Sequence, residues 1–151
     1  PAWSPDGRQI AFVSTKDTTN AFDETLGNSD IYLMDRDGKN LQRLTTNLGE
    51  DYTPSWSPDS RNLVYAAQNI QSGTMELMVR DTQCSETINC TRLLFSDIVD
   101  LMPSWSADGT SIVFIDARDG NFEMYSTDTE GRYLQRLTYN HTDENSPQWR
   151  P

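Results

Sequence analysis

One short phrase recurs along this chain and limits its possible folds more than any other feature. It reads PAWSPDGRQIAFVS from Pro1, PSWSPDSRNLVYAA from Pro54 and PSWSADGTSIVFID from Pro103, and a stub, PQWRP, begins at Pro147. The resulting spacings of 53, 49 and 44 residues are typical of repeated supersecondary units. The sequence therefore predicts a repeat architecture in which each unit packs on the next.

Each unit has the pattern of four short strands. In the first unit these are PAWS, IAFVS, DIYLMD and LQRLT, with a turn at Pro5-Asp6-Gly7 after the first strand and a hairpin signal at Asp37-Gly38 before the last. Proline presets its own φ and glycine accepts the turn geometry, so both signals have a physical basis. Because helical periodicity is absent, we expect an all-β chain.

The WSPDG and IYLMDRDGKNLQRLT segments together resemble the TolB-like β-propeller repeat, and the similarity covers essentially all 151 residues. The resemblance implies four-stranded antiparallel blades around a central channel, usually six in this family. Three blades are expected at residues 1–49, 50–98 and 99–142, followed by the first strand of a fourth at 143–151. Ser60 stands where the family pattern has glycine, and Ala107 where it has proline.

A three-bladed arc would expose apolar blade faces, so it needs a neighbour. One hypothesis is that the remaining blades belong to a longer parent chain. The other is that two copies close a six-bladed ring about a two-fold axis, although the additional first strand argues against it.

Charge and hydropathy restrict the partners. Twelve basic and 23 acidic residues give a net charge of −11, which repels phosphate backbones and argues against nucleic-acid binding. No run of about 18 apolar residues is present, so we expect no membrane insertion by this segment.

The two cysteines, Cys84 and Cys90, lie in one loop between the third and fourth strands of the second unit. Thiols on opposite limbs of a hairpin can reach disulfide distance, so a disulfide is predicted, with two reduced thiols as the alternative. Zinc is disfavoured because the only histidine, His141, lies in another unit. A disulfide, together with the family resemblance, favours the periplasm or the outside of a bacterial cell.

Motifs for catalysis are lacking. The sequence has no GxSxG, no HExxH and no cysteine with a histidine partner, so we predict that this segment has no catalytic residues and is not an enzyme. No resident cofactor is expected apart from the calcium ion considered below.

Acidic residues recur at the channel mouth predicted by the resemblance. Three residues before each motif proline stand Asp51, Asp100 and Glu144. In the loops between second and third strands stand Asp17, Asp23, Glu24, Asp116 and Asp119. One hypothesis is a binding funnel for a basic segment, a peptide amino terminus or a calcium ion. The alternative is that each carboxylate caps its own loop.

Two further residue types repeat with the units. We expect the tryptophans to be core residues, each packed against a neighbouring blade; they are Trp3, Trp56, Trp105 and Trp149. The fourth strands carry Arg43, Arg92 and Arg136, which we expect to pair with nearby acids at the surface.

Three functions fit these features. The one we favour is a noncatalytic protein-interaction propeller of an extracytoplasmic bacterial protein, similar to TolB, which in its family works with lipoprotein partners of the outer membrane. The alternatives are the sensor propeller of a larger receptor or regulator, and the gating propeller of a prolyl-oligopeptidase-like serine peptidase.

Overall fold

All regular structure is β in the computed structural model, which describes residues 1–16, 27–84, 90–96 and 100–149. The strands are β1 Ala2–Trp3, β2 Gln9–Ser14, β3 Asp30–Asp35, β4 Gln42–Arg43, β5 Asp51–Trp56, β6 Asn62–Gln68, β7 Met75–Asp81, β8 Thr91–Ser96, β9 Asp100–Trp105, β10 Ser111–Asp116, β11 Glu123–Asp128 and β12 Gln135–Arg136. They form three antiparallel four-stranded sheets, each in sequential order. This confirms the predicted three blades.

The start of a fourth unit follows β12. The backbone N–H of Glu144 donates to the carbonyl of Phe122 at 2.7 Å, and the N–H of Ser146 approaches Met102 Sδ at 3.3 Å. No strand is assigned to 143–149, because a first strand needs a second strand of its own unit to pair with.

The core lies between the blades. Side chains alternate between the two faces of a strand, so each sheet has one face toward the preceding blade and one toward the next. Leu63 and Tyr65 of the second blade pack on Ala11 and Leu33 of the first. On the opposite face, Val64 and its neighbours pack on the third blade, in a cluster that includes Ala66, Leu77, Val79, Ile112, Phe114 and Tyr125.

The motif tryptophans point toward the preceding blade. Trp56 is 6% exposed, and its Nε1 donates to the carbonyl of Ala2 at 3.1 Å. Trp105 packs on the cluster between the second and third blades. The core prediction is wrong for Trp3, which is 58% exposed because no blade of the described chain lies on that side. It also fails for Trp149, which is 41% exposed because its own unit has no further strand in the described residues.

A buried carboxylate clamp shortens the fourth strands of the first and third blades. Arg43 pairs with Asp30, which is fully buried, and Thr45 Oγ1 accepts the Ile31 N–H at 2.9 Å. This hydroxyl replaces a backbone carbonyl of the ladder, so β4 contains only two residues.

The third blade repeats this arrangement. Arg136 Nη2 lies 2.8 Å from Glu123 Oε1, and Thr138 Oγ1 accepts the Met124 N–H at 2.9 Å. Hydrogen bonds to its carboxylate lower the pKa of Glu123 to about 2, and the bond from the Thr138 hydroxyl has the largest effect. Both arginines therefore pair with wholly buried acids, whereas surface pairs were expected.

The second blade departs from this pattern. Leu94 stands where the other blades have threonine, and β8 runs for six residues with a register shift opposite Leu77 and Met78. Arg92 is thereby paired with Val79, one position away from the place of Arg43 and Arg136. A shift of one residue turns a side chain to the other face, so Arg92 points toward the third blade.

Replacement of Trp56 by alanine tests the inter-blade core. We expect Trp56→Ala to lower the free energy of unfolding by about 3–5 kcal/mol, because it truncates a buried aromatic side chain. Trp3→Ala removes an exposed indole of the same motif and should cost about 0.5 kcal/mol. Urea titration followed by circular dichroism measures both, and equal losses would contradict the assignment of the two faces.

Replacement of Arg43 tests the clamp. Arg43→Ala leaves the Asp30 carboxylate buried without its cation, so we expect a loss of about 3–5 kcal/mol. Arg92→Ala, at the matching sequence position, removes a half-exposed contact and should cost about 1 kcal/mol or less. A larger loss for Arg92→Ala in thermal or urea unfolding would refute the clamp.

Candidate functional site

The first strands of the blades lie side by side and form the inner wall of the arc, with β5 in contact with both β1 and β9. β5, β9 and the start of the fourth unit bend just before their motif prolines. Thr53, Met102 and Ser146 have φ values of 51°, 53° and 49°, in the left-handed region that non-glycine residues rarely adopt. In β5 and β9 the ladder shifts register at this position, so the bend is a β-bulge.

The bulges border a pocket of about 520 Å³ on the channel wall. Its lining consists of prolines, tryptophans, one methionine and small polar residues: Pro1, Ala2, Trp3, Pro5, Thr53, Pro54, Ser55, Trp56, Met102, Pro103, Ser104, Ser146, Pro147 and Gln148. None of these side chains is acidic or basic. The wall therefore offers apolar surface and hydroxyl and amide groups for binding, without a general acid or base.

The side chains that the bulges display are not among the binding residues predicted from the sequence. A signal for them existed, because each stands immediately before a motif proline. Their left-handed conformation was not predictable, since a residue before proline is normally extended.

Asp51 does not lie in a binding funnel. The residue pairs with Ala67 in the ladder and its side chain is wholly buried. Its Oδ1 accepts a hydrogen bond from Asn47 Nδ2 at 3.2 Å, and Oδ2 has no partner in the described part of the chain. The funnel hypothesis fails here because the carboxylate faces the first blade instead of the channel mouth.

Glu144 is the next acid that stands three residues before a motif proline and has a described side chain. It is half-buried and accepts a hydrogen bond from Asn140 Nδ2 at 2.5 Å. The preceding acid is also used internally, because Asp143 Oδ1 accepts the Phe122 N–H at 2.9 Å. These contacts tie the fourth-unit segment to the loop of the third blade.

The described carboxylates of the third-blade loop are likewise engaged. Asp116 is buried and binds both the backbone N–H and the guanidinium of Arg118. Asp119 Oδ2 accepts hydrogen bonds from the Tyr125 hydroxyl and from Arg136 Nη1, the latter at 2.8 Å. Of these acids, Asp116 fits the loop-capping alternative, because it accepts a backbone N–H of its own loop. Asp119 and Glu144 accept hydrogen bonds from side chains instead.

The other funnel candidates lie outside the described structure. They are Asp17, Asp23, Glu24 and the side chain of Asp100, whose backbone begins β9. Among the described residues, no cluster of three or more His, Cys, Asp or Glu side chains is placed to hold a metal ion.

Cys84 and Cys90 form the predicted disulfide, with their Cα atoms 5.5 Å apart. The bridge closes the hairpin between β7 and β8. The Asp81 N–H donates to the Cys90 carbonyl at 3.1 Å inside this hairpin. The disulfide therefore supports the hairpin from which β8 starts.

Three consecutive four-stranded sheets, with first strands along one channel wall, define an arc of a β-propeller. The whole chain, residues 1–151, matches the TolB beta propeller domain family. This chain therefore belongs to the TolB β-propeller family.

The chain is also similar to individual proteins. The chain is 28% identical over 130 residues to the Tol-Pal system protein TolB of Desulfosudis oleivorans, covering 86% of this chain and 26% of that protein. It is 24% identical over 146 residues to dipeptidyl-peptidase 5 of Porphyromonas gingivalis, covering 94% of this chain and 21% of the peptidase. The chain thus spans about a quarter of the length of these relatives.

A solved structure shows the same fold. A putative TolB from Agrobacterium tumefaciens superposes with a TM-score of 0.77 at 24% identity, covering 91% of this chain and 45% of that one. In the part of the chain that the structure describes, no helix has the length and apolar character needed to cross a membrane.

The buried Asp51 should make stability depend on pH. Burial raises the pKa of its carboxyl from 3.8 to about 6, and the nearby Asp30 and Glu50 charges add to this effect. The folded protein therefore holds the proton up to a higher pH than the unfolded chain does. The stabilisation that the protonated Asp51 carboxyl gives to the folded state is complete below about pH 4 and is lost as the pH rises to about 6. It amounts to up to about 3 kcal/mol.

Asp51→Asn should remove this dependence, because an amide does not titrate in that range. We expect the variant to gain stability relative to the parent as the pH rises from about 4 to 6, measured by urea unfolding at each pH. Glu144→Gln makes the same kind of change at the equivalent but half-buried position and is the matched control. Parallel curves for the parent and Asp51→Asn would show that Asp51 is not the titrating group.

Proposed function

We propose that this chain is part of a noncatalytic protein-binding propeller, and that its channel wall binds an extended segment of a partner protein. The observation that carries the proposal is the 520 Å³ wall pocket, whose lining contains no acidic or basic side chain. Serine hydroxyls are present there, but none has a histidine or carboxylate beside it in the lining to act as a base.

The composition of the wall suits a peptide. Proline, tryptophan and methionine present apolar surface in a fixed shape, and methionine adapts to different side chains. Met102 is 36% exposed on this wall. Hydroxyl and amide groups between these apolar side chains can bond to a peptide backbone. The segment's net charge of −11 favours a partner with a basic surface.

The compartment follows from the disulfide and from the family. Disulfides persist in oxidising surroundings, so the Cys84–Cys90 bridge favours the periplasm or the outside of a bacterial cell. One relative is named for the Tol-Pal system, and assembly with other proteins is the role that we carry over to this chain. A calcium ion at the channel mouth stays a prediction, since four of the candidate carboxylates lie outside the described structure.

A second function has one observation in its favour. The similarity to dipeptidyl-peptidase 5 extends over 94% of this chain, so the arc also fits the noncatalytic propeller of a serine peptidase. The channel wall would then admit peptides to a catalytic domain elsewhere in the parent. The sensor propeller of a larger receptor or regulator has no such relative among those described above.

Site-specific photocrosslinking distinguishes these functions. A benzoylphenylalanine at Met102 lies on the channel wall, and one at Leu48, which is 72% exposed, lies in the loop between β4 and β5. In cells that produce the full-length parent, we expect one discrete protein adduct from position 102 and none from 48. Adducts from both positions alike, or none from 102, would contradict a channel-binding role.

The same parent protein should be incubated with dipeptidyl p-nitroanilides. If no p-nitroaniline is released, the result agrees with a noncatalytic protein-binding propeller. Steady release that is abolished by a serine-directed fluorophosphonate would assign the arc to a peptidase instead.

A further inference from the structure

The second and third blades enclose a cleft of about 390 Å³ on the hairpin face, which carries the turns between first and second strands and the hairpins between third and fourth strands. Its apolar side is formed by Val79, Pro58 and the half-buried ring of Trp105. The cleft is separate from the channel pocket, with which it shares no lining residue. Its volume is near the lower end of the range for small-molecule pockets, roughly 300–1,000 Å³.

The equivalent place between the first and second blades is closed by two hydrogen bonds. Ser60 Oγ accepts the backbone N–H of Asp6 at 3.0 Å, and Trp56 Nε1 donates to the carbonyl of Ala2. Neither bond is repeated between the second and third blades. Gly109 replaces the serine, so its side chain is missing, and Trp105 Nε1 has no partner among the described residues.

The missing side chain at Gly109, and not a different backbone conformation, explains why this interface is open and the one at Ser60 is closed. A Cβ at Gly109 would lie 3.7 Å from the Pro58 ring, in ordinary contact across the cleft. Gly109 has φ +72° and Ser60 has φ 61°, so the two turns share one conformation and a serine fits both. The cleft is therefore open because one repeat lacks a side chain that its sibling has.

The rim of the cleft is acidic. Three carboxylates, Asp59, Asp108 and Glu130, face a single guanidinium, Arg92. Arg92 is already engaged, since it donates to the Thr129 carbonyl and lies 3.8 Å from Glu130 Oε1.

The two aspartates keep one oxygen available. Their Oδ1 atoms bind their own turns, at Ser57 and Ser106 respectively, and in the described structure the Oδ2 atoms accept no hydrogen bond. The hydrogen bond from Ser106 lowers the pKa of Asp108, so this exposed carboxylate is ionised at neutral pH.

We propose that the cleft between the second and third blades binds an alkylammonium group, such as the side chain of a lysine on a partner protein. The methylene stem packs on Trp105, Val79 and Pro58, and the ammonium lies between the free carboxylate oxygens of Asp59 and Asp108. A cation beside an indole ring and unpaired carboxylates gains from both. An anion would meet three carboxylates against one guanidinium that is already engaged. A neutral apolar ligand would leave the carboxylate oxygens of the rim without a partner.

This inference does not rest on the channel function proposed above, and its test leaves the channel wall untouched. The ¹⁵N-labelled chain is titrated with Nα-acetyl-lysine-N-methylamide, and the amide signals of Gly109 and Thr129 and the indole signal of Trp105 are followed by NMR. Saturable shifts of these signals are expected. Nα-acetyl-norleucine-N-methylamide, which has the stem without the charge, should produce none.

Two variants and one matched control locate the site. Gly109→Ser fills the cleft as Ser60 fills its counterpart, and Asp108→Asn removes one charge while keeping the turn acceptor. We expect Asp108→Asn to weaken binding roughly tenfold, the effect of losing one charge-assisted contact. Gly109→Ser should weaken binding by at least as much, because its side chain occupies the space of the ligand. Asp6→Asn makes the same change in the equivalent turn of the first blade and should bind as the parent does.

The outcomes separate clearly. Tighter binding of the lysine derivative than of n-butylamine supports a protein side chain as the ligand, and equal binding supports a free amine in the same site. The proposal is overturned if the norleucine derivative gives the same shifts, if both cleft variants bind as the parent does, or if no probe moves these signals.

Discussion

The packing of each blade on the one before it is the constraint on which the rest of the structure depends. The second blade shows this most directly, because all five central residues of β6, from Leu63 to Ala67, are buried. Alternate members of this strand belong to two different clusters, one shared with the first blade and one with the third. A sheet that is apolar on both faces cannot be stable alone, so the blades fold as an array and not as independent units. The exposure of Trp3 has the same cause.

Several of the acidic side chains take part in contacts that hold this architecture together. Asp30 and Glu123 are buried carboxylates that the neighbouring arginine and threonine hold in place. Glu50 and Asp143 accept hydrogen bonds from the backbone N–H groups of Ser29 and Phe122. Among the described funnel candidates, Asp51, Asp116, Asp119 and Glu144, the high negative charge of the sequence therefore does not leave unengaged carboxylates at the channel mouth. What remains of it at the surface is local, as in the cleft between the second and third blades, where turn aspartates use only one of their two oxygens internally.

The sequence predicted the architecture well because tryptophan spacing and turn signals are local and repeat. It predicted the acids and arginines poorly, since their roles depend on register. Leu44, Leu93 and Leu137 each stand 12 residues before a tryptophan, so the adjoining arginines occupy equivalent places in the sequence. In the structure, the shift within β7 and β8 turns Arg92 to the opposite face. Spacing along the chain does not reveal such a shift. A bulge changes the face of the sheet that a residue occupies, while the number of residues between two motif positions stays the same. Asp51 escaped prediction for a related reason, as burial is decided by a neighbouring blade.

In a repeat protein the residues that recur are those that build the unit, so chemistry that is specific to one protein should appear where the repeats differ at a shared backbone position. The bulge before each motif proline is such a position, because it is occupied by Thr53, Met102 and Ser146 with nearly the same φ. The backbone fixes where these side chains point and leaves their identity free. The turn that holds Ser60 in one blade and Gly109 in the next is a second position of this kind, and there a single hydroxymethyl group decides whether an interface is closed or open. The fold thus repeats its scaffold while varying its channel wall and clefts at low structural cost.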